Sequence, residues 1–142
     1  MSNASNFNAA SKLAAGLCLA VSAIHWMDQG GLKLKDPTYM GVAYFALELA
    51  SLAAAFMLLT RTTRRGWLLA LGVAAGPLLG FVVTRTTGLP GAMDDIGNWA
   101  ETLGWMSLVV ESALLAVSAW ALVAMARPHP QLASVRSASR RG

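Results

Sequence analysis

Residues 38–60 read TYMGVAYFALELASLAAAFMLLT, an apolar stretch with one charged residue, Glu48, near its middle. At a rise of about 1.5 Å per residue, a helix of this length crosses a hydrocarbon layer of roughly 30 Å. Comparable stretches occupy residues 10–27, 67–84 and 99–125. A mean hydropathy of +0.52 exceeds what a soluble domain of this size needs for its core. The sequence therefore predicts an all-α membrane protein, an antiparallel bundle of four transmembrane helices.

The charged residues predict the orientation of the spans. Arginines fill the link between the second and third spans and recur after the fourth: Arg61, Arg64, Arg65, Arg127, Arg136, Arg140 and Arg141. Because basic loops stay in the cytoplasm, both termini are expected there. The acids between spans are expected outside: Asp28, Asp36, Asp94, Asp95 and Glu101. Residues 127–142 are predicted to be a basic cytoplasmic tail, disordered or lying on lipid headgroups.

A cleaved signal peptide is the alternative for the first span. Lys12, the apolar run after it and the small residues at 21–23 fit that pattern. Cys18 is the only cysteine and follows the bulky Leu17, which does not fit a lipoprotein site. The pI near 9.8 comes from arginines beside helix ends, without interleaved aromatic residues. The bilayer is therefore the expected partner, and nucleic acid is not.

Polar residues within three spans recur at helical spacing, which places them on one face of each helix. The stripes are Cys18, Ser22 and His25 in the first span, Tyr44, Glu48 and Ser51 in the second, and Ser107, Glu111 and Ser118 in the fourth. Glu48 lies about 15 Å, and Glu111 about 12 Å, from the nearer membrane boundary. A carboxylate at such depth costs at least about 2.5 kcal/mol, so both glutamates are expected to face the bundle interior, a partner or water.

These residues predict an outward-facing polar site of His25, Tyr44, Glu48, Arg85 and Glu111 that binds a small ligand or cation or handles protons. Arg85, at the outer end of the third span, is expected to reach Glu111 or the aspartates of the following loop. A structural alternative stays open, in which each glutamate only forms a hydrogen bond within the bundle, for example Glu48 with Tyr44 or with a serine on a neighbouring helix, worth about 1 kcal/mol. The motifs of common catalytic and phosphate sites do not occur, so the protein is expected to be non-enzymatic.

The outer loop between the third and fourth spans, residues 85–101, reads RTTGLPGAMDDIGNWAE. Its glycines and proline predict a tight turn, and Asn98 with Glu101 fits a capping box for the fourth span. Turn and cap roles are therefore expected for the outer-loop acids, Asp28, Asp94, Asp95 and Glu101.

No resident cofactor is predicted, although copper and haem stay open. One histidine and four methionines near the expected outer face form a soft-ligand set for monovalent copper: His25, Met27, Met40, Met93 and Met106. A haem would need His25 together with a methionine, because His129 lies on the expected cytoplasmic side.

Gly72, Gly76 and Gly80 recur at every fourth residue of the third span. Small residues at this spacing let a second helix approach closely. The stripe is predicted to pack inside the bundle, or to contact a second copy or a larger redox or transport complex. In the last case the chain is a structural accessory subunit. A small membrane enzyme acting on a lipid or quinone is a further alternative.

The strings RTTGLPG at 85–91 and DxGNWxE at 95–101 resemble uncharacterised small four-span integral membrane proteins of bacteria. The resemblance covers mainly Arg85 to Glu111. It implies a bacterial cytoplasmic membrane and a helical bundle whose outer loop and following glutamate matter, and it implies no activity.

Overall fold

The computed structural model describes residues 3–30, 38–61, 63–91 and 93–127. Nearly all of them belong to four helices, α1 (Asn3–Asp28), α2 (Thr38–Thr60), α3 (Arg64–Thr86) and α4 (Thr102–Ala126). Each helix is long and apolar enough to cross a membrane. The predicted all-helical four-helix bundle is confirmed. Most of the predicted basic tail, with His129, and the loop acid Asp36 lie outside the described residues.

Each helix of the bundle packs against two neighbours: α1 and α3 both contact α2 and α4. One end of the bundle holds the last turns of α1 and α3 and the first turns of α2 and α4. We call it the polar end, because His25, Arg85 and the described loop acids lie there. We call the opposite end, with Arg61, Arg64 and Arg127, the arginine end.

The interior toward the arginine end is a packed apolar core. Its largest side chains are Trp67, Leu58 and Leu114, each no more than 2% exposed. Alanines from all four helices fill the space between them: Ala14, Ala15, Ala54, Ala55, Ala70, Ala74 and Ala121. Small residues allow the helix backbones to approach, which is how helices associate when lipid rather than water surrounds them. The outward faces are apolar too, with Phe56 and Val109 more than two-thirds exposed, as expected of a bundle embedded in lipid.

Glycines shape the loop at the polar end. The amide N–H groups of Thr87 and Gly88 both donate to the Val83 carbonyl at 3.0 Å and end α3. Gly88 has a φ of 73°, in the left-handed region that favours glycine. Gly91 also has a positive φ, 84°, so the predicted turn is confirmed.

The predicted capping box is wrong. The N-cap residue of α4 is Glu101, which forms no side-chain cap bond, and the helix begins at Thr102 rather than at residue 99. Asn98 lies before the helix, where its carbonyl accepts a hydrogen bond from Arg85. The Glu101 side chain likewise accepts a hydrogen bond from Arg85 instead of capping the helix.

Gly104, and not the glycine stripe of α3, permits close contact between helices. A Cβ at Gly104 would lie 2.6 Å from Phe81 Cε2, so α4 approaches α3 closely there. At Gly72, Gly76 and Gly80, a Cβ would meet no other described part of the bundle within 4 Å. The predicted packing of this stripe inside the bundle is therefore wrong, because α2 and α3 stand apart along it. Its contact with another chain stays a prediction.

Candidate functional site

The carboxylate of Glu111, only 1% exposed, is bound by two side chains. His25 Nε2 lies 2.9 Å from Glu111 Oε1, and the hydroxyl of Ser107 donates to the same oxygen. Ser107 precedes Glu111 by one helical turn, so both residues lie on one face of α4. The polar stripes of α1 and α4 therefore meet in the bundle interior.

Glu48 is held by a residue that the sequence interpretation missed. The side-chain amide of Gln29 donates to Glu48 Oε1, and both residues are buried. Tyr44, the expected partner, instead packs its ring against His25, with 5.6 Å between centroids. Gln29 follows His25 by four residues, so extending the α1 stripe by one turn identifies it.

Arg85 is a buried cation at the polar end. Its guanidinium donates to the Glu101 carboxylate and lies 3.5 Å from Asp95 Oδ2, and its Nε donates to the Asn98 carbonyl at 3.0 Å. The guanidinium also lies 4.6 Å from the centroid of the Phe81 ring. Asp95 was one of the expected partners of Arg85, and this contact is confirmed.

Two expectations about this cluster are corrected. Arg85 does not pair with Glu111, because that carboxylate is engaged by His25. Glu101, expected to serve as a helix cap, is instead an ion-pair partner of Arg85. Asp28 is exposed near Glu101, and Asp94 is exposed on the loop.

Burial raises the pKa of Glu101, and the nearby charge of Asp28 raises it further, while Arg85 opposes the shift. A carboxyl group with a raised folded-state pKa stabilises the fold at low pH and loses that contribution as the pH rises through the folded-state pKa.

We therefore expect the midpoint temperature of thermal unfolding to fall as the pH rises above the usual glutamate pKa of about 4.3. Glu101→Gln should flatten this dependence. Thermal unfolding in detergent at stepped pH measures it, with the exposed Asp94→Asn as control, and an unchanged slope in Glu101→Gln contradicts the assignment.

A cavity of about 570 Å³ separates α2 from α3. Its long walls are mainly apolar: small residues of both helices lie among larger side chains such as Leu47, Leu69 and Val73. The small residues are Ala43, Ala46 and Ala50 of α2 and Gly72, Gly76 and Gly80 of α3. Several of these residues are exposed on the flank of the bundle, so the cavity opens sideways. The α3 wall runs from Leu68 to Arg85, about 25 Å at the helical rise, or most of the thickness of a hydrocarbon layer.

The polar end of the cavity brings together most of the predicted site. The lining there includes His25, Asp28, Tyr44, Arg85, Glu101 and Ser107. Glu48 and Glu111 do not line the cavity. Glu48 is bonded to Gln29, and Glu111 is bonded to His25. The cavity is therefore apolar along its length and polar at one end.

His25 leaves one polar atom unsatisfied beside this cavity. Its Nδ1 is buried and has no hydrogen-bond partner among the described residues. An unpaired buried donor or acceptor costs about 1–3 kcal/mol. Trp67 Nε1 and Ser118 Oγ are also buried without a hydrogen-bond partner within the described ranges, but neither residue lines the cavity. His25 therefore lines the cavity through other atoms of its ring, because Nδ1 itself is fully buried.

The copper candidates lie in different surroundings. Met40 lines the cavity with His25, whereas Met27, Met93 and Met106 are each more than half exposed. Over the described ranges, histidine, cysteine and carboxylate side chains form no group of three that could hold a metal ion. Copper and haem binding therefore stay predictions.

Comparison of the chain with known protein families, curated proteins and solved structures gave no match. Fold and site together define a class: a bundle of four helices suited to span a membrane, with a side-opening apolar cavity that ends at buried polar groups.

Proposed function

We propose that this chain is a non-enzymatic integral membrane protein that binds an amphiphilic ligand in the cavity between α2 and α3. The observation that carries the proposal is the polarity gradient of the cavity, from apolar walls along α2 and α3 to His25, Tyr44 and Arg85 at one end. Ligand sites are typically concave and mostly apolar, with a few convergent polar groups and a volume of about 300–1,000 Å³. The volume of about 570 Å³ lies within that range.

The proposed setting is the cytoplasmic membrane of a bacterium, with the arginine end in the cytoplasm and the polar end outside. Arginines at the α2–α3 link and after α4 support this orientation, because basic segments are retained on the cytoplasmic side. The polar end of the cavity then lies in the outer half of the bilayer, and the flank opening between α2 and α3 admits a ligand directly from the lipid.

The accessory-subunit alternative uses the same flank of the bundle. A partner helix would contact the rim of the cavity from the side, where Ala43, Ala46, Gly72 and Gly76 are exposed.

Blocking the cavity is expected to remove the ligand. Gly76→Leu adds a side chain in open space on the cavity wall, so the retained ligand should fall by about tenfold or more, since a steric cost of about 1.4 kcal/mol suffices. Native mass spectrometry of gently purified protein, with analysis of its lipid extract, measures the bound molecule.

Gly16→Leu is the matched control. Gly16 is also a helical glycine with open space around a Cβ, but it does not line the cavity. This variant should retain the ligand at the wild-type level. Equal amounts of the same bulk lipids in the wild type and both variants would contradict the proposal, and a co-purifying polypeptide lost only in Gly76→Leu would favour the accessory subunit.

A further inference from the structure

We infer that the ligand is an amphiphilic cation, an apolar body with one positively charged nitrogen, and that the charged nitrogen binds against Asp28 and Glu101 at the polar end of the cavity. The inference rests on the proposed function and names the ligand class of the same site. It is built from the charges that line the cavity, from their hydrogen bonds and from their accessibility.

Carboxylates outnumber cations at the polar end of the cavity. Among the described residues, the lining includes Asp28, Asp95 and Glu101 but only one arginine, Arg85, and no lysine. Three ionised carboxylates against one guanidinium leave a formal excess of two negative charges. A cationic head group supplies part of the missing charge, whereas a phosphate or carboxylate head would add to the excess and be rejected.

Arg85 is not free to neutralise all three carboxylates. Its guanidinium donates to Glu101 and lies 3.5 Å from Asp95 Oδ2, and its Nε donates to the Asn98 carbonyl. Asp28 has no basic partner within the described ranges. A cation on the ligand therefore has an unneutralised carboxylate to bind.

Asp28 and Glu101 hold a proton between them in the absence of a ligand. Their side chains are hydrogen-bonded to each other, and an ionised carboxylate only accepts, so one of the two must be protonated. Burial and the charge of Asp28 both raise the pKa of Glu101, which favours this shared proton. A cation that binds between the two carboxyl groups takes the place of the proton, and one proton leaves to solvent for each cation bound.

The carboxylates at this end are accessible to a ligand. Asp28 is exposed, and the side chains of Asp95 and Glu101 are 35% and 34% exposed. Tyr39 and Tyr44 line the cavity on the α2 side. Aromatic rings attract ammonium groups, so the lining offers a cation both charge and aromatic contact.

Three probes with the same hexadecyl chain separate the head-group classes: a trimethylammonium, an alcohol and a carboxylic acid. Each is titrated into the full chain in dodecyl maltoside, an uncharged detergent, and binding is measured by native mass spectrometry. The wild type is compared with Asp28→Asn, which removes a lining carboxylate but no ion-pair partner of Arg85. Comparing the two proteins with one probe at a time cancels the partition of that probe into micelles.

We expect the trimethylammonium probe to bind the wild type about tenfold more tightly than Asp28→Asn, the effect of about one ion pair with aromatic contact. The alcohol should bind both proteins equally, and the acid should bind the variant at least as tightly as the wild type. Equal binding of the trimethylammonium probe to both proteins, or tighter binding of the acid to the wild type, would overturn the inference.

Asp94→Asn is the matched control for surface charge. Asp94 is exposed on the same loop as Asp95 but does not line the cavity. This variant should bind the trimethylammonium probe as the wild type does. If Asp94→Asn loses as much affinity as Asp28→Asn, the probe responds only to the general charge of this end, and the assigned position is wrong.

The pH dependence of binding tests the displaced proton. Other titratable groups that line this end come from three helices and the outer loop: His25, Tyr39, Tyr44, Arg85 and Asp95. Because trimethylammonium has a fixed charge, we expect its affinity to rise between about pH 5 and about pH 7, by up to about tenfold per pH unit for one released proton. Asp28→Asn should flatten this rise, because its amide donates to Glu101 without a shared proton. An equal rise in the variant, or a fall in the wild type, would contradict the exchange.

The outcomes separate this inference from the proposed function. If Gly76→Leu abolishes binding of all three probes while Asp28→Asn binds the trimethylammonium probe as the wild type does, the cavity is the site and the assigned ligand class is wrong. If Gly76→Leu leaves the binding of all three unchanged, the cavity itself is not the site and both proposals are wrong.

Discussion

Replacing Glu111 with alanine is expected to destabilise the bundle by about 3 kcal/mol. The carboxylate accepts from Ser107 and pairs with His25 at 2.9 Å, so its removal leaves these buried side chains only their longer mutual contact, 3.4 Å between Ser107 Oγ and His25 Nε2. In the proposed membrane setting the hydrocarbon layer holds no water, so the protein would not recover these bonds from solvent. Equilibrium unfolding in detergent mixtures measures the loss.

Two comparisons make this result specific to the hydrogen bonds. Glu111→Gln keeps an oxygen for Ser107 and should cost less than about 1 kcal/mol, the usual value of an interhelical bond in a membrane. Val109→Ala removes an outward-facing side chain of the same helix and should change little. If the alanine variant at position 111 proves no less stable than Val109→Ala, the polar contact between α1 and α4 does not hold the bundle together.

Arg85→Met is expected to cost about 2 kcal/mol, because it leaves Glu101 and Asp95, whose side chains are 34% and 35% exposed, facing each other without their cation. Methionine retains much of the apolar contact with Phe81, so the loss reports the charge rather than a cavity. Arg85→Lys should recover only part of it, since an ammonium group cannot reproduce the planar set of donors that reaches Glu101 and the Asn98 carbonyl together.

A double variant tests whether the ion pair is the cause. Adding Glu101→Gln to Arg85→Met removes one unpaired carboxylate and should restore about 1 kcal/mol or more. The same unfolding measurement applies to Arg85→Met, to Glu101→Gln and to the double variant. Strictly additive losses would show that Arg85 acts through packing alone, and the ion-pair explanation would then be wrong.

The four helices were predictable because each depends on the residues of its own segment. Each span is set by length and hydropathy, and the helical spacing of His25, Glu48 and Glu111 was sufficient to place them in the interior. Ser107 belonged to the same predicted stripe and is found bonded to Glu111. Gln29 was missed because the α1 stripe was followed only to His25, one turn too short.

The remaining errors arise where one residue spacing in the sequence is compatible with two different structures. The Asn98 and Glu101 spacing fits a capping box, but Arg85, which precedes Glu101 by 16 residues in the sequence, offers the carboxylate a stronger partner. A run of glycines every fourth residue likewise permits either a helix contact or an open wall. Which one forms depends on how far the side chains of α1 and α4 hold α2 from α3, and that separation is a property of the whole bundle.

The packed core around Trp67, Leu58 and Leu114 has a consequence for energy coupling. It closes the bundle axis between the buried carboxylates and the arginine end, whereas the cavity between α2 and α3 runs along the flank as far as Leu68. In the proposed membrane setting, a proton on Glu111 would therefore find no straight route through the interior of a single copy. Any exchange with the arginine end would have to follow the flank between α2 and α3.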